Sequence, residues 1–288
     1  MELLDGIKVS EAFLSDIKKE VELRTEQGKK APHLAAILVG RDPASQTYVG
    51  SKVKTCEFLG FKSTLSRLDA ETTEAELLAL IENYNTNPDI DGILVQLPLP
   101  KHISEDKVIN AISPQKDVDG FHPTSIGKMV LGQDTFIPAT PNGIMMMLAY
   151  YKLDTVGKHC VVIGRSNIVG TPMSLLMSRN TNPGNCTVTL AHSKTKNLKE
   201  ICLQADIIIA AIGRPRFLTA DMVKEGTIIV DVGINRIEDS SKKSGFRLVG
   251  DVDFETVKEK ASYITPVPGG VGKMTICALM QNTLKACE

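Results

Sequence analysis

The sequence predicts an α/β fold of two lobes, each built on a parallel sheet. Three observations predict it. Short apolar runs rich in β-branched residues, such as HCVVI at 159–163 and DGILVQ at 91–96, alternate with longer segments whose apolar residues recur at helical spacing. Glycine or proline closes run after run: Gly40, Pro98, Gly164 and Gly233 each follow one. The chain has 288 residues, enough for about two domains. Strands that alternate with helices pair in parallel and are covered by those helices. Two such regions joined by long helices imply a ligand cleft between the lobes.

Taken in order, residues 7–27 place Val9, Phe13, Ile17 and Val21 near helical spacing and end at Gly28, a helix stop. A strand follows at 33–39. Ser45 is a candidate cap for a helix to about Leu59, on which Tyr48 and Lys52 are four residues apart and share a face. A second strand spans 61–68. Thr73 and Glu76 form a T-x-x-E capping box for a helix reaching Tyr84. The third strand, 91–96, ends on Gln96, a polar amide at the carboxyl end of an apolar strand, where open α/β sheets bind ligands. A short helix at 104–112 precedes a turn-rich loop carrying Asp117 and Asp119. Residues 138–141 open a methionine-rich helix suited to packing.

The stretch 159–172, HCVVIGRSNIVGTP, reads as a strand, a glycine turn and a helix start with Pro172 in the first turn. Such a turn presents an anion to a helix N-terminus, although Ser166 and Val169 replace glycines of the usual dinucleotide fingerprint. The next strand, 186–190, leads into AHSKTK at 191–196. No acid stands there for a ribose hydroxyl. A hydroxyl, Lys194, Lys196 and the earlier Arg165 suit a 2′-phosphate, so NADP is expected over NAD. Further strands are expected at 206–210, 227–232 and 262–265, with an exposed loop or hairpin at 238–245. A glycine–proline loop at 266–272 and a final helix at 274–286 close the chain.

Composition narrows the class. A net charge of −1 and a pI near 6.5 argue against nucleic acid or a polybasic membrane contact. The six cysteines form no C-x-x-C pair and several sit in apolar runs, which suits a reducing compartment. The start, MELLDGIKVSEAFL, lacks the pattern of a signal peptide, and no apolar run approaches the roughly 18 residues of a membrane span. A cytoplasmic globular protein is expected, with no metal site.

Several motifs then stand in a telling order: YVGSKVKTCEFLG (48–60), DGILVQLPLP (91–100), PQKDVDGFHP (114–123), PATPNGI (138–144), VVIGRSNIVGTP (161–172), DVGINR (231–236) and ITPVPGGVGKMT (264–275). The chain closely resembles the bifunctional methylenetetrahydrofolate dehydrogenase/methenyltetrahydrofolate cyclohydrolase family over essentially its whole length, in the short form typical of bacteria. The resemblance implies an N-terminal folate-binding catalytic domain (1–139 plus 271–288) and a Rossmann-type NADP-binding domain (140–270). It implies oxidation of 5,10-methylenetetrahydrofolate with NADP⁺, then hydrolysis of the methenyl product to 10-formyltetrahydrofolate. Lys52 matches the central catalytic lysine, Tyr48 the tyrosine that packs on the folate, Gln96 the glutamine that tunes the lysine, and Asp119 the aspartate that holds the pterin. Leu97, Pro98, Pro268, Gly269 and Gly270 match positions bordering the folate. Thr140, Gly164, Arg165, Ser166, Ile168, His192, Ser193, Gly213, Ile234 and Thr275 match cofactor-contacting positions. A homodimer is implied. The competing readings are a monofunctional dehydrogenase, a related two-lobed dehydrogenase of another substrate, and a dinucleotide sensor on the same fold.

Overall fold

The computed structural model describes residues 1–242 and 245–288, so the tip of the segment expected at 238–245 lies partly outside the described residues. The chain opens with β1 (Glu2–Leu3) and α1 (Gly6–Glu26). It divides into two compact units, one of Ala12–Ala139 with Ile276–Glu288, the other of Met1–Glu11 with Thr140–Thr275.

The first of these units contains β2 (His33–Val39), α2 (Pro43–Leu59), β3 (Lys62–Leu68), α3 (Glu74–Thr86), β4 (Gly92–Val95), α4 (Glu105–Ala111) and α5 (Pro123–Val130). The strands form a parallel sheet in the order β3-β2-β4. Strand β2 is buried along nearly its whole length, which is why it reads as a continuous apolar run rather than an alternating one. Ala35, Ile37 and Val39 face a core made with Leu77, Ile81 and Tyr84 of α3 and with Ile93 and Val95 of β4. The chain winds from β2 outward to β3 and then to β4 on the other side of β2, so the topological switch lies between β2 and β4, whose carboxyl ends lead to Val39 and Gln96.

Local signals set the helix starts. Thr73 and Glu76 exchange hydrogen bonds as a complete capping box. At α2, Asp42 and not Ser45 is the cap. Its carboxylate accepts the Ser45 N–H at 2.7 Å, and Pro43 begins the helix, where its missing N–H costs nothing.

The other unit contains the body of α6 (Ala139–Tyr150), then β5 (His159–Ile163), α7 (Gly170–Ser178), β6 (Thr187–Ala191), α8 (Leu198–Gln204), β7 (Ile207–Ala210), β8 (Ile228–Asp231), β9 (Asn235–Glu238), β10 (Phe246–Val249), α9 (Phe254–Val257), β11 (Tyr263–Ile264) and the start of α10 (Val271–Ala286). Its parallel sheet runs β1-β11-β8-β7-β5-β6. From β5 the chain winds outward to β6 and then back to β7, so the crevice lies at the carboxyl ends of β5 and β7. Val161, Ile163, Ile208, Ala210 and Ile229 form its core with Cys202 and Val257. Strands β9 and β10 pair as an antiparallel ribbon apart from the main sheet.

The division differs from the sequence expectation at residues 1–11 and 271–275, which the sequence reading grouped with 12–139. The cause at the N-terminus is pairing: β1 is an edge strand parallel to β11, with Glu2 opposite Tyr263 and Leu3 opposite Ile264. All six cysteines are free and buried.

Candidate active site and dinucleotide pocket

Helix α2 carries Lys52 inward, where it is 6% exposed. Its Nζ donates to Gln96 Oε1 at 3.0 Å. Gln96 continues the sheet, since its backbone N–H meets the Ile37 carbonyl at 2.9 Å, and its Nε2 donates to the Leu97 carbonyl at 2.7 Å. That second bond fixes which end of the amide faces the lysine, so an oxygen acceptor is aimed at Nζ. Burial pushes the Lys52 ammonium below its ordinary range, while the charge of Asp119 pulls it partly back. Tyr48, one turn earlier on the same helix, is half-buried, and burial pushes its phenol up.

Asp119 comes from the loop that runs beside β4. The Ile93 N–H meets the Lys116 carbonyl at 2.8 Å, and Gly120 turns the chain at φ 74°. A Cβ at Gly120 would lie 2.7 Å from the Ile137 backbone, so only glycine fits there. Asn282 of α10 ties the loop down from its other side, donating to the Val118 and Ile137 carbonyls at 2.8 and 3.0 Å. Burial raises the Asp119 carboxyl, and Lys52 lowers it in return. Lys52, Gln96 and Asp119 are thus brought together by α2, the end of β4 and this loop.

Asp117, which the sequence places with Asp119 on the same turn-rich loop, is buried. It is 2% exposed and accepts the Phe121 N–H at 3.2 Å, the His122 N–H at 2.8 Å and the Ser125 hydroxyl at 3.0 Å. Burial pushes its carboxyl up to about 7. Asp117 organises the loop that presents Asp119. Leu97 and Pro98 follow β4 in the same unit, half-buried and exposed respectively. Pro268, Gly269 and Gly270 belong to the other unit, where Gly269 accepts the Ile7 N–H at 3.2 Å.

In that other unit a cavity of about 450 Å³ opens at the ends of β5 and β7. Of the residues expected to contact a cofactor, Gly164, Arg165, Ser166, His192 and Ser193 line it. Thr195, Leu198, Ile212, Arg214 and Phe217 line it too, and no sequence signal had singled them out. The turn is unusually close. A Cβ on Gly164 would lie 2.1 Å from the Ala211 carbonyl oxygen, and one on Gly170 would lie 2.0 Å from that of Gly164. The amides at the start of α7 are not all open, because Ser166 Oγ accepts from Val169 and Gly170 at 3.2 and 3.4 Å. Gly213 sits in the rim between two lining residues. Ile168 and Ile234 are exposed outside the lining, and Thr140 and Thr275 meet each other at 3.0 Å, also outside it.

A cavity of this volume, lined by Arg165, Ser166 and Ser193 and with no carboxylate among its described lining residues, fits a phosphorylated dinucleotide. Among the described residues no helix is long and apolar enough to cross a membrane.

Comparison with known proteins agrees with this geometry. Residues 4–119 match the catalytic domain of the tetrahydrofolate dehydrogenase/cyclohydrolase family, and residues 138–288 match its NAD(P)-binding domain. The bifunctional protein FolD of Cytophaga hutchinsonii is 63% identical over 286 residues, covering 99% of both chains. The crystal structure of the bifunctional FolD enzyme from Campylobacter jejuni superposes with a TM-score of 0.93 at 50% identity, covering 100% of this chain and 98% of that one. The Trypanosoma brucei dehydrogenase-cyclohydrolase, solved with NADP cofactor and an inhibitor, gives 0.92 at 35% identity, covering 98% and 96%. The chain belongs to the tetrahydrofolate dehydrogenase/cyclohydrolase family.

Proposed function

We propose that this protein oxidises 5,10-methylenetetrahydrofolate to the 5,10-methenyl compound with NADP⁺ and then hydrolyses that cation to 10-formyltetrahydrofolate. The observation that carries the proposal is the buried Lys52 amine, held by the neutral amide of Gln96 at 3.0 Å. Loss of hydride leaves positive charge on the one-carbon bridge. An ammonium beside it would repel that charge, whereas a neutral amine would not. Burial favours the neutral form, and a carboxamide partner orients it without restoring the charge. One Lys52 N–H engages Gln96, so the nitrogen lone pair remains to take a proton from water attacking the cation. Tyr48, on the same helix face, offers an aromatic surface for the folate. Asp119 offers two acceptor oxygens to the paired N–H donors of the pterin edge.

NADP⁺, held by residues lining the cavity at the Gly164 turn, supplies the hydride acceptor. Arg165 and Ser193 are assigned to its 2′-phosphate. The folate-binding role of the unit containing Lys52, the bordering roles of Leu97, Pro98 and Pro268–Gly270, and the cofactor contacts of Ile168, Ile234, Thr140 and Thr275 belong to the same proposal. A cytoplasmic setting suits the six buried thiols. A homodimer through the cofactor-binding unit is supported by the β9–β10 ribbon, where Phe246 and Leu248 are 38% and 42% exposed.

The test is a two-wavelength assay following reduced cofactor and methenyl compound together, run on wild type and on Lys52→Met. Wild type should reduce NADP⁺ with little methenyl accumulation, and Lys52→Met should hydrolyse added methenyl substrate at least about 100-fold more slowly. Wild type that reduces cofactor but never hydrolyses would be a monofunctional dehydrogenase. A Lys52→Met rate near wild type would remove the lysine from the mechanism.

A further inference from the structure

We propose that Asp251 is a positioning residue for the cofactor: its buried carboxylate holds the rim formed by Ile212, Gly213 and Arg214 in the shape that receives the dinucleotide. The proposal rests on the reading of the Gly164 cavity as the cofactor site.

Asp251 follows β10 and is 0% exposed. Three consecutive backbone N–H groups converge on it. Ile212 and Gly213 donate to Oδ2 at 2.6 and 2.9 Å, and Arg214 donates to Oδ1 at 2.9 Å. A fourth donor, Asn235 Nδ2, reaches Oδ1 at 2.8 Å. The three amides belong to the loop leaving β7, where the order of strand addition reverses. Ile212 and Arg214 line the cavity together with Gly164, Arg165 and Ser193.

A second carboxylate supports the first. Asp231, at the end of β8, accepts the Asp251 N–H at 2.8 Å, the Val252 N–H at 3.0 Å and the Gly233 N–H at 2.9 Å. The packing leaves no slack in this relay. A Cβ on Gly233 would lie 2.3 Å from Asp251 Oδ1, and one on Gly250 would lie 1.7 Å from Asp231 Oδ2. Displacement of either carboxylate therefore displaces backbone.

The chemistry of the partners requires an acceptor-only group. Four N–H donors surround Asp251, and an amide in its place would turn an NH₂ toward some of them. A carboxylate beneath an anion site also opposes anion binding by charge. Its presence makes sense only if the geometry it enforces outweighs that repulsion, and sharing its charge among four donors reduces the repulsion. With the rim already formed, the cofactor does not have to order it on binding.

Asp251→Asn tests the idea. Its NADPH dissociation constant, by fluorescence titration, and its KM for NADP⁺ should rise about 10- to 100-fold, the size of about one lost charge-assisted hydrogen bond. The kcat at saturating cofactor should fall by less than about threefold, because the rim positions the cofactor and takes no part in chemistry. A purely structural role would lower thermal stability without this split between KM and kcat, and unchanged NADPH affinity in a folded variant would overturn the proposal. If the variant does not fold, amide hydrogen exchange on wild type decides. The amides of residues 212–214 should be protected before any NADPH is added. Amides that exchange freely and become protected only with NADPH would show that the rim is not preformed. Wild type that binds no NADPH at all would bring down the cofactor reading, and this proposal with it. Wild type that binds, beside a variant that binds equally well, would bring down this proposal alone.

Discussion

Exchanging Gln96 for glutamate changes one atom type and keeps the shape, and it tests the neutral-lysine argument directly. The Lys52 Nζ to Gln96 Oε1 distance is 3.0 Å. Two unit charges at that separation interact by about 5.5 kcal/mol at an effective dielectric of about 20. Gln96 is half-buried, so solvent screens part of this, and the new carboxylate costs desolvation of its own. About half, roughly 2–3 kcal/mol, is a fair expectation, which corresponds to about 2 pKa units. The shift is upward, against the lowering that burial imposes on Lys52. At neutral pH the neutral fraction of the lysine should fall about 100-fold, and methenyl hydrolysis with it. The assay is loss of methenyl absorbance across pH 6.5–10, corrected for the uncatalysed rate. Gln96→Glu should shift the acid limb of the profile upward by about 2 units and regain activity at high pH. Glutamate also loses the 2.7 Å donation to the Leu97 carbonyl, so Gln96→Met is the control. It loses both hydrogen bonds without adding charge, and its rate should fall without a shift of the limb. A Gln96→Glu profile that overlays wild type, or one lowered uniformly at every pH, would refute the reasoning.

Other expectations follow from named distances. Asp119→Asn should weaken folate binding about 10- to 100-fold while NADPH affinity, by fluorescence titration, stays within about twofold; equal losses would count against the pterin role. Gly170→Ala, with its Cβ 2.0 Å from the Gly164 carbonyl oxygen, should cost about 1–3 kcal/mol and lower NADPH affinity. Gly127→Ala, on an open face of α5 with nothing within 4 Å, should stabilise by about 0.5–1 kcal/mol in urea denaturation. Asp117 gives a pH test. Its folded carboxyl is raised from 3.8 to about 7, so the folded state binds more protons than the unfolded state across that window, and stability falls as pH rises through it. The loss is at most about 4 kcal/mol. Asp117→Asn lacks this titration, so its stability relative to wild type should improve by about 1–4 kcal/mol between pH 4.5 and 8 in urea denaturation, and parallel pH curves would contradict the assignment. Leu248→Arg on the β9–β10 ribbon should shift the mass found by light scattering from dimer toward monomer; a wild-type mass of one chain would remove the homodimer.

Much of the fold was legible because it rests on local chemistry. The runs at 33–39 and 159–163 became β2 and β5 without a change of boundary, since buried parallel strands are apolar throughout. The capping box at Thr73 was readable because both partners lie within one turn. At α2 the sequence reading takes Ser45 as the cap, but Pro43 in the first turn moves the start forward and makes Asp42 the cap. What stayed hidden depends on distant partners. Strand β1 has two residues, too few for any period, and exists because β11 lies beside it. Asp117 and Asp119 look alike in PQKDVDG. Only the amides of Phe121 and His122 and the hydroxyl of Ser125 separate a buried loop organiser from a site carboxylate. Asp251 looks like a turn residue in GDVDF until the donors at 212–214 and 235 are brought to it by the sheet.

The pairing of β1 with β11 also bears on how the chain is made. Glu2 is synthesised about 260 residues before its partner Tyr263. At roughly 5–20 residues per second the N-terminal segment waits on the order of 13–50 s for its neighbour. Residues 12–139 can assemble β2, β3 and β4 in that interval, because those strands are close in sequence. The larger sheet gains this edge only once Tyr263 and Ile264 have been made. An N-terminal fusion that delays release of the first residues, or a deletion of residues 1–5, should therefore slow the last stage of cofactor-unit folding and leave the β2–β4 sheet forming on schedule.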